Sequence, residues 1–290
     1  GQDSGVSTTT TDYARPTIKS ISTAADSSTE GGGTVTITGL NFGPASHPNV
    51  VVKYGTSNSE PVTYTAVDCI VVSHTSITCN TAPGFGTTLF WRVGIDGRNS
   101  DPSTDTTSYA APTISALSGA AVSDLGSSTL GNTPIVISGN NFGAEGTTIP
   151  IVKYGPEGFP ARYTAQGCIV KGHRKIQCET QAGVGLGHKW QIVSVAGSRS
   201  TSVFQGKTTQ YERPAITGVA AGADSATTGG ESVTITGTNF GPASDTAVVA
   251  KYGASDSNPT TYTATGCRVV SQTSITCNTV EGIGASLHWR

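Results

Sequence analysis

Several residue types and patterns are scarce in this chain of 290 residues. It contains no methionine, and no apolar run approaches the length of a membrane span. Charged residues make up 12% of the chain, about half the usual share, and the net charge is −2. These shortages argue against a membrane-embedded segment and against nucleic-acid binding, which needs excess positive charge. Because residue 1 is glycine, we expect that upstream sequence has been removed or left out.

Groups of side chains that could support catalysis are also lacking. The acidic residues are sparse and unpaired, without the carboxylate pair of a glycosidase or the acidic cluster of a calcium site. The glycine-rich run at 183–187 resembles a phosphate loop only superficially, because it precedes a predicted strand rather than a helix. The sequence therefore predicts no catalytic activity, no cofactor and no metal ion. We expect all five histidines at the surface: His47, His74, His173, His188 and His288.

The chain does contain a threefold internal repeat. The pattern Gly-x-Asn-Phe-Gly occurs at 39–43, 139–143 and 237–241, so its asparagines lie 100 and 98 residues apart. Each copy is followed in the same order by Lys-Tyr-Gly, Tyr-Thr-Ala, a cysteine pair and a tryptophan. A period of this length is that of one small domain. The three tryptophans are expected to pack in domain cores: Trp91, Trp190 and Trp289.

The two ends of the chain match the two parts of one repeat. Residues 1–16 align with 97–112 without a gap, and the third repeat stops at Arg290, whereas the first continues beyond its corresponding arginine, Arg92. The sequence therefore predicts four parts. They are the last strand of a preceding or neighbouring domain (1–13), two complete domains (14–109 and 110–211), and a third domain lacking its final strand (212–290).

Two interpretations of these ends stay open. The chain is either an excerpt of a longer array, or its N-terminal strand completes the third domain of a neighbouring molecule, as in donor-strand polymers. In both cases the third domain alone would leave a strand edge unpaired beside its core. We therefore expect self-association or continuation into like domains, rather than an isolated monomer.

The six cysteines form three pairs with one spacing: Cys69 and Cys79, Cys168 and Cys178, and Cys267 and Cys277. Each pair brackets a predicted hairpin, which places its members on neighbouring strands. A zinc site is disfavoured because no second close-spaced pair accompanies each one. We expect three disulfides, each constraining the unfolded chain by roughly 2–3 kcal/mol. Disulfides imply an oxidising, extracellular location.

Short alternating strands and glycine-rich turns predict an all-β fold. The order of motifs, from Gly-Gly-x-x-Val-x-Ile-x-Gly-x-Asn-Phe-Gly through the cysteine hairpin to a terminal tyrosine, resembles the IPT/TIG domain over essentially the whole chain. The second repeat departs most, at the basic turn 171–175. The resemblance implies immunoglobulin-like β-sandwiches, as in plexins, receptor ectodomains and Rel-type transcription factors. It fixes the fold and leaves function open.

The joints between repeats are short. Only two residues separate the last tyrosine of one repeat from the first proline of the next, as in Tyr109-Ala110-Ala111-Pro112 and Tyr211-Glu212-Arg213-Pro214. Proline fixes its own φ and pushes the preceding residue toward extended geometry. Because no flexible Gly-Ser linker intervenes, we predict stiff joints and a beads-on-a-rod arrangement.

Hydroxyl-rich stretches precede the joints and are candidates for O-glycosylation. An equal alternative is that threonine suits an exposed edge strand. No usable N-glycosylation sequon exists, since Asn258-Pro259-Thr260 is blocked by its proline. The candidate O-linked sites are Thr8, Thr9, Thr10, Thr11, Thr104, Thr106, Thr107, Thr208 and Thr209.

Near-identical repeats, stiff joints and out-of-phase ends predict a non-catalytic structural protein of an extracellular rod, fibre or surface appendage. It would be extended by continuation of the array or by strand complementation between subunits. One alternative is a receptor or adhesin ectodomain that recognises a protein or a glycan, supported by divergence of the second repeat. An accessory region of a secreted carbohydrate enzyme would need a catalytic domain outside this segment.

Overall fold

The computed structural model describes residues 1, 3–146, 150–194, 200–222, 225–243, 245 and 247–290. Its regular structure is antiparallel strand apart from one short 3₁₀ turn, Ala120–Val122, so the predicted all-β class is confirmed. No described helix is long and apolar enough to cross a membrane. The described residues form two compact units, the first within 1–112 and 141–146 and the second within 113–140, 150–194 and 200–290.

The first repeat contains two four-stranded sheets, with strand orders β1-β2-β6-β5 and β4-β3-β7-β8. Its strands are β1 (Thr17–Thr23), β2 (Thr34–Leu40), β3 (Val50–Gly55), β4 (Tyr64–Thr65), β5 (Val67–Ser73), β6 (Ser76–Asn80), β7 (Phe90–Ile95) and β8 (Arg98–Asn99). Buried side chains from both sheets form one apolar cluster between them. This is the arrangement of a β-sandwich.

Alternation in β2 explains why this strand forms and which face it buries. Val35 and Ile37 are completely buried, while Thr34 is exposed and Thr36 and Thr38 are half-buried on the opposite face. Successive side chains of a strand point to opposite faces, so the pattern places every second residue in the core. Each buried aliphatic side chain contributes about 1.5–3 kcal/mol of transfer free energy.

The other two repeats reproduce the first sheet, in the orders β13-β14-β10-β9 and β16-β17-β21-β20. Each also has a three-stranded sheet, β12-β11-β15 or β19-β18-β22. The second repeat contains β9 (Thr113–Ser118), β10 (Pro134–Asn140), β11 (Ile151–Gly155), β12 (Tyr163–Thr164), β13 (Gln166–Val170), β14 (Lys175–Glu179) and β15 (Lys189–Ser194). The third contains β16 (Ala215–Ala220), β17 (Ser232–Thr238), β18 (Lys251–Gly253), β19 (Tyr262–Thr263), β20 (Thr265–Ser271), β21 (Ser274–Asn278) and β22 (His288–Trp289).

Each cysteine pair joins the last two strands of its first sheet by a disulfide. The bonds are Cys69–Cys79, Cys168–Cys178 and Cys267–Cys277, with Cα atoms 4.0–4.1 Å apart. One cysteine of each pair is fully buried in its core, at positions 79, 178 and 277. Each cross-link therefore ties the hairpin to the apolar interior that the hairpin covers.

The Gly-x-Asn-Phe-Gly motif ends β2 and fixes the start of the same repeat. Asn41 adopts a φ of 63°, and its side-chain amide donates to the carbonyl of Arg15, 3.0 Å away. The residue accepting this bond directly precedes the first proline of the repeat. Asn141 and Asn239 have φ values of 63° and 61° and make the same bond, to Ala111 and Arg213. The motif therefore clamps the peptide that enters each repeat.

Gly39 is required because the chain approaches it closely from two sides. A Cβ atom there would collide with the carbonyl oxygen of Thr17 and with the ring of Phe42, which is completely buried. The register between β1 and β2 shifts between Ile18 and Ser20, beside this contact. The glycine thus lets the buried phenylalanine ring lie under a bulged strand pair.

Replacing Gly39 with alanine is expected to destabilise the first repeat by about 1–3 kcal/mol through overpacking. Chemical denaturation of the disulfide-bonded protein would measure the loss. The neighbouring change Thr38→Ala, on the outer face of the same strand, is the control and should cost less than about 1 kcal/mol. Equal effects of the two changes would contradict this role for the glycine.

Candidate functional site

In the first repeat, residues 100–109 form a closing segment along the edge of β7. The amide of Ser103 donates to the carbonyl of Trp91 (2.8 Å), and the amide of Trp91 donates to the hydroxyl of Ser103 (2.9 Å). Further along, Leu89 and Thr107 exchange both backbone hydrogen bonds, at 2.9 and 3.0 Å. The segment thus adds a further strand-like edge to the second sheet.

The closing segment also completes a buried polar network. Tyr109 is 2% exposed, and its hydroxyl donates to the carbonyl of Ala82 (2.6 Å) and lies 2.7 Å from the hydroxyl of Tyr54. Tyr54 stacks on Trp91 with ring centroids 4.2 Å apart, and the Trp91 indole donates to the Thr107 hydroxyl (2.9 Å). Burial raises the pKa of Tyr109, so this hydroxyl stays protonated and able to donate.

The second repeat has the same arrangement with its own residues. Tyr211 is 4% exposed and its hydroxyl lies 2.7 Å from that of Tyr154. Tyr154 stacks on Trp190 at 4.2 Å, and the Trp190 indole donates to Thr209 at 2.9 Å. Two independent repeats therefore use one closing pattern, in which a threonine and a tyrosine two residues later both face the core.

The third repeat contains an open groove at the corresponding place. Its volume is about 780 Å³, and its lining includes Leu287 and Trp289, which are only half-buried. The equivalent Leu89 and Trp91 are at most 1% exposed. Across the groove, Ser225 is exposed, whereas the equivalent Ser27 is buried. The described residues thus leave open in this repeat a core that the first two repeats cover.

Much of the closing network is nevertheless already in place in the groove. Tyr252 stacks on Trp289 with centroids 4.3 Å apart, and its hydroxyl accepts the amide of Val280 at 2.9 Å. The backbone groups of Ser225, Gly284 and Leu287 make no hydrogen bond within the described part of the chain. Their counterparts in the first repeat all bond to the closing segment. The groove therefore presents unpaired backbone groups beside preorganised aromatic rings.

The segment 1–13, predicted as a last strand, forms no strand where the structure describes it. Its apolar side chains are unprotected, since Tyr13 is 94% exposed and Val6 is 99% exposed. An exposed ion pair joins Asp12 of this segment to Arg98, at 3.4 Å. Tyr13 is the counterpart of Tyr109, so the same position is buried in one copy of the pattern and exposed in the other.

Residues 16–110 match the family model described as the IPT/TIG domain. The first repeat is an IPT/TIG domain. The second and third repeats carry the same motifs and the same order of strands in their first sheet. A search of curated proteins found no match.

Comparison with solved structures finds distant likenesses. The plexin A4 extracellular region is 19% identical with a TM-score of 0.29, covering 93% of this chain and 21% of that one. A surface glycan-binding protein from Prevotella bryantii is 12% identical with a TM-score of 0.38, covering 65% of this chain and 42% of that one. The chain thus spans less than half the length of either. Likeness at this level carries no argument about function.

The second and third domains, within one compact unit, are joined by specific hydrogen bonds. The Gln272 side chain accepts from the Thr129 hydroxyl (2.6 Å) and donates to the Thr129 carbonyl (3.0 Å) across the joint, and it also accepts from the Gly241 amide (3.2 Å) of its own domain. Beside them, Arg162 contacts Asp245 at 2.8 Å, and this aspartate side chain is only 8% exposed. The short linker predicted a stiff joint but gave no sign of these contacts, because Gln272 belongs to no repeated motif.

The prediction that all histidines lie at the surface is wrong for His188. This side chain is 1% exposed, at the position held by Leu89 and Leu287 in the other domains, and its Nε2 has no partner among the described residues. Burial, reinforced by the charge of Arg162, lowers its pKa to about 4. Aligning the three repeats would have indicated that His188 is buried. The histidine stands where the other two repeats have leucine, and that position lies in an apolar site.

The other predicted site residues divide by exposure. Thr104, Thr106, Thr208 and Thr8–Thr11 are exposed, so O-glycosylation there stays a prediction. The hydroxyls of Thr107 and Thr209 instead accept bonds from tryptophan indoles, and Thr209 is buried. A glycan on either would have to break the closing network. Within the described residues, no group of three or more His, Cys, Asp or Glu side chains could hold a metal ion.

Replacing His188 with leucine is expected to remove a pH-dependent loss of stability. Because the folded pKa lies below the unfolded value, the unfolded state binds the proton more tightly. Wild-type stability should therefore fall by up to about 3 kcal/mol as pH decreases from 6.5 towards 4. Denaturation of both proteins at pH 7 and pH 4.5 would test this. The exposed-turn control His74→Leu should retain the wild-type loss, and an unchanged loss in His188→Leu would contradict the assignment.

Replacing Gln272 with alanine is expected to cost about 1–3 kcal/mol, since two hydrogen bonds to Thr129 across the joint are lost. A double-mutant cycle with Thr129→Ala, measured by chemical denaturation, isolates the part that crosses the joint. Thr273→Ala, in the same turn but with its side chain hydrogen-bonded to Ser271, is the matched control. A coupling free energy near zero between Gln272 and Thr129 would mean that the side chain does not hold the joint.

Proposed function

We propose that this chain is a non-catalytic structural segment of an extracellular rod, fibre or surface appendage. The observation that carries the proposal is the open groove of the third IPT/TIG domain. In the other two domains a closing segment with a buried tyrosine covers the same surface. A strand from a like module would complete the third domain and extend the array at once.

The joint between the second and third domains supports a stiff array. A linker of two residues, the proline after it and the clamp from Asn239 limit bending at the chain itself. The Gln272 hydrogen bonds and the Arg162–Asp245 ion pair add lateral contacts outside the linker. A rod that resists bending suits bearing load or holding another component away from a surface.

The three disulfides support an extracellular location, because such bonds persist in oxidising compartments. With few charged side chains on the chain, exposed hydroxyl residues provide much of its contact with water. Attached O-linked glycans would increase that hydration, and the exposed threonines before the joints are where we would look for them. Mass spectrometry of native material identifies such sites directly.

Electron microscopy of native material tests the proposed role. We expect rods or fibres with a repeating bead, each bead being one IPT/TIG domain. Single globular particles would contradict the proposal. The competing role, a receptor or adhesin ectodomain, predicts saturable binding to a glycan or cell-surface protein that is lost on substituting the basic turn of the second domain, 171–175.

A further inference from the structure

We propose that the groove of the third domain is a binding site for residues 7–13 of a second copy of this chain. This inference rests on the proposed structural role and names the strand that closes the domain. In the structure neither surface is satisfied within the chain, since Tyr13 is 94% exposed and Trp289 is only half-buried. The two surfaces are complementary in chemistry, residue by residue.

The side-chain pattern of residues 7–13 matches that of the closing segment in the first domain. Residues 1–16 align without a gap with 97–112, so Ser7, Thr11 and Tyr13 take the places of Ser103, Thr107 and Tyr109. The residue numbers of successive positions among these three differ by four and by two. In an extended chain they therefore face the same side, and Asp12 between them faces away. One face of the segment thus carries the counterparts of the three closing side chains Ser103, Thr107 and Tyr109.

The groove also contains the hydrogen-bond partners that these side chains have in the first domain. In the first domain the Thr107 hydroxyl accepts from the Trp91 indole, and the Tyr109 hydroxyl meets Tyr54 and the Ala82 carbonyl. The third domain offers Trp289, Tyr252 and the carbonyl of Val280 at the same places. Thr11 and Tyr13 of a second copy would supply the two missing hydroxyls.

The backbone groups at the edge of the groove correspond to those that bond to the closing segment in the first domain. In the first domain Leu89 exchanges two hydrogen bonds with Thr107, and the Gly86 carbonyl accepts from the Tyr109 amide. Leu287 and Gly284 are the corresponding groups and are unpaired within the described residues. An added strand would pair them through its own backbone, which is the usual source of affinity in β-strand addition. The side chains at positions 11 and 13 would fix its register.

Binding can be measured with a synthetic peptide of residues 1–16. The acceptor is the intact chain carrying Tyr13→Ala, so that its own segment does not compete. We expect saturable binding with a change in tryptophan fluorescence as Trp289 becomes covered. A peptide carrying Tyr13→Phe should bind about tenfold more weakly, because the hydrogen bonds of its hydroxyl to Tyr252 and to the Val280 carbonyl are not formed. A peptide carrying Asp12→Asn, altered on the outward face, should bind like the wild type.

Cross-linking between copies tests the register. Because Leu89 pairs with Thr107, position 287 should face position 11 of the second copy. The native cysteines are all paired, so a chain with Thr11→Cys and another with Leu287→Cys each carry one free thiol. Oxidising the mixture should give a disulfide-linked dimer of the two chains. A mixture of Asp12→Cys and Leu287→Cys is the control and should give little.

The outcomes separate this inference from the proposed function. Peptide binding and the 11–287 cross-link support closure by a second copy. Rods in native material without either result would overturn the second copy as the occupant and leave continuation of the same polypeptide to close the domain. Peptide binding without rods would retain the site and remove the structural role. Closure of the groove by the chain's own residues 7–13, seen as an intramolecular cross-link in a Thr11→Cys, Leu287→Cys double variant, would also overturn the inference.

Discussion

The core of each domain depends on the segment that covers the open side of its β-sandwich. In two domains a tyrosine hydroxyl reaches a buried carbonyl beside a second tyrosine, which itself stacks on a tryptophan. Buried polar groups need partners, and buried rings need contacts on both faces, so one segment satisfies both demands at once. The closing strand is therefore part of the core, and removing it exposes the interior. In the third domain no described segment covers the corresponding surface.

Much of the architecture could be predicted from the sequence because its signals repeat. Alternation around Val35 and Ile37 indicated a half-buried strand, and the cysteine spacing indicated a hairpin. Features that depend on tertiary position were harder to find. The clamp made by Asn41 needs a left-handed residue beside the linker, and the joint made by Gln272 needs a second domain next to its turn. The recurring motif marked the asparagine but not its bonding partner, and Gln272 belongs to no repeated motif.

For the candidate site, too, part could be predicted from the sequence and part depends on tertiary position. The match of residues 1–16 to 97–112 predicted which segment resembles a closing strand, but not what that strand bonds to. His188 was missed because a polar residue in a turn reads as exposed until a neighbouring domain shows leucine in its place. Comparing the repeats of one chain thus helps to predict which side chains are buried, because equivalent positions tend to have the same surroundings. Departures from the shared pattern then mark positions with altered chemistry.

A high-resolution map of native material would show whether a strand from outside residues 212–290 closes the third domain. We expect an extended segment along the edge of β22, with a tyrosine hydroxyl between Tyr252 and the carbonyl of Val280 and a threonine hydroxyl at the Trp289 indole. A map in which Trp289 faces solvent, with no strand beside it, would mean that no such strand closes the domain.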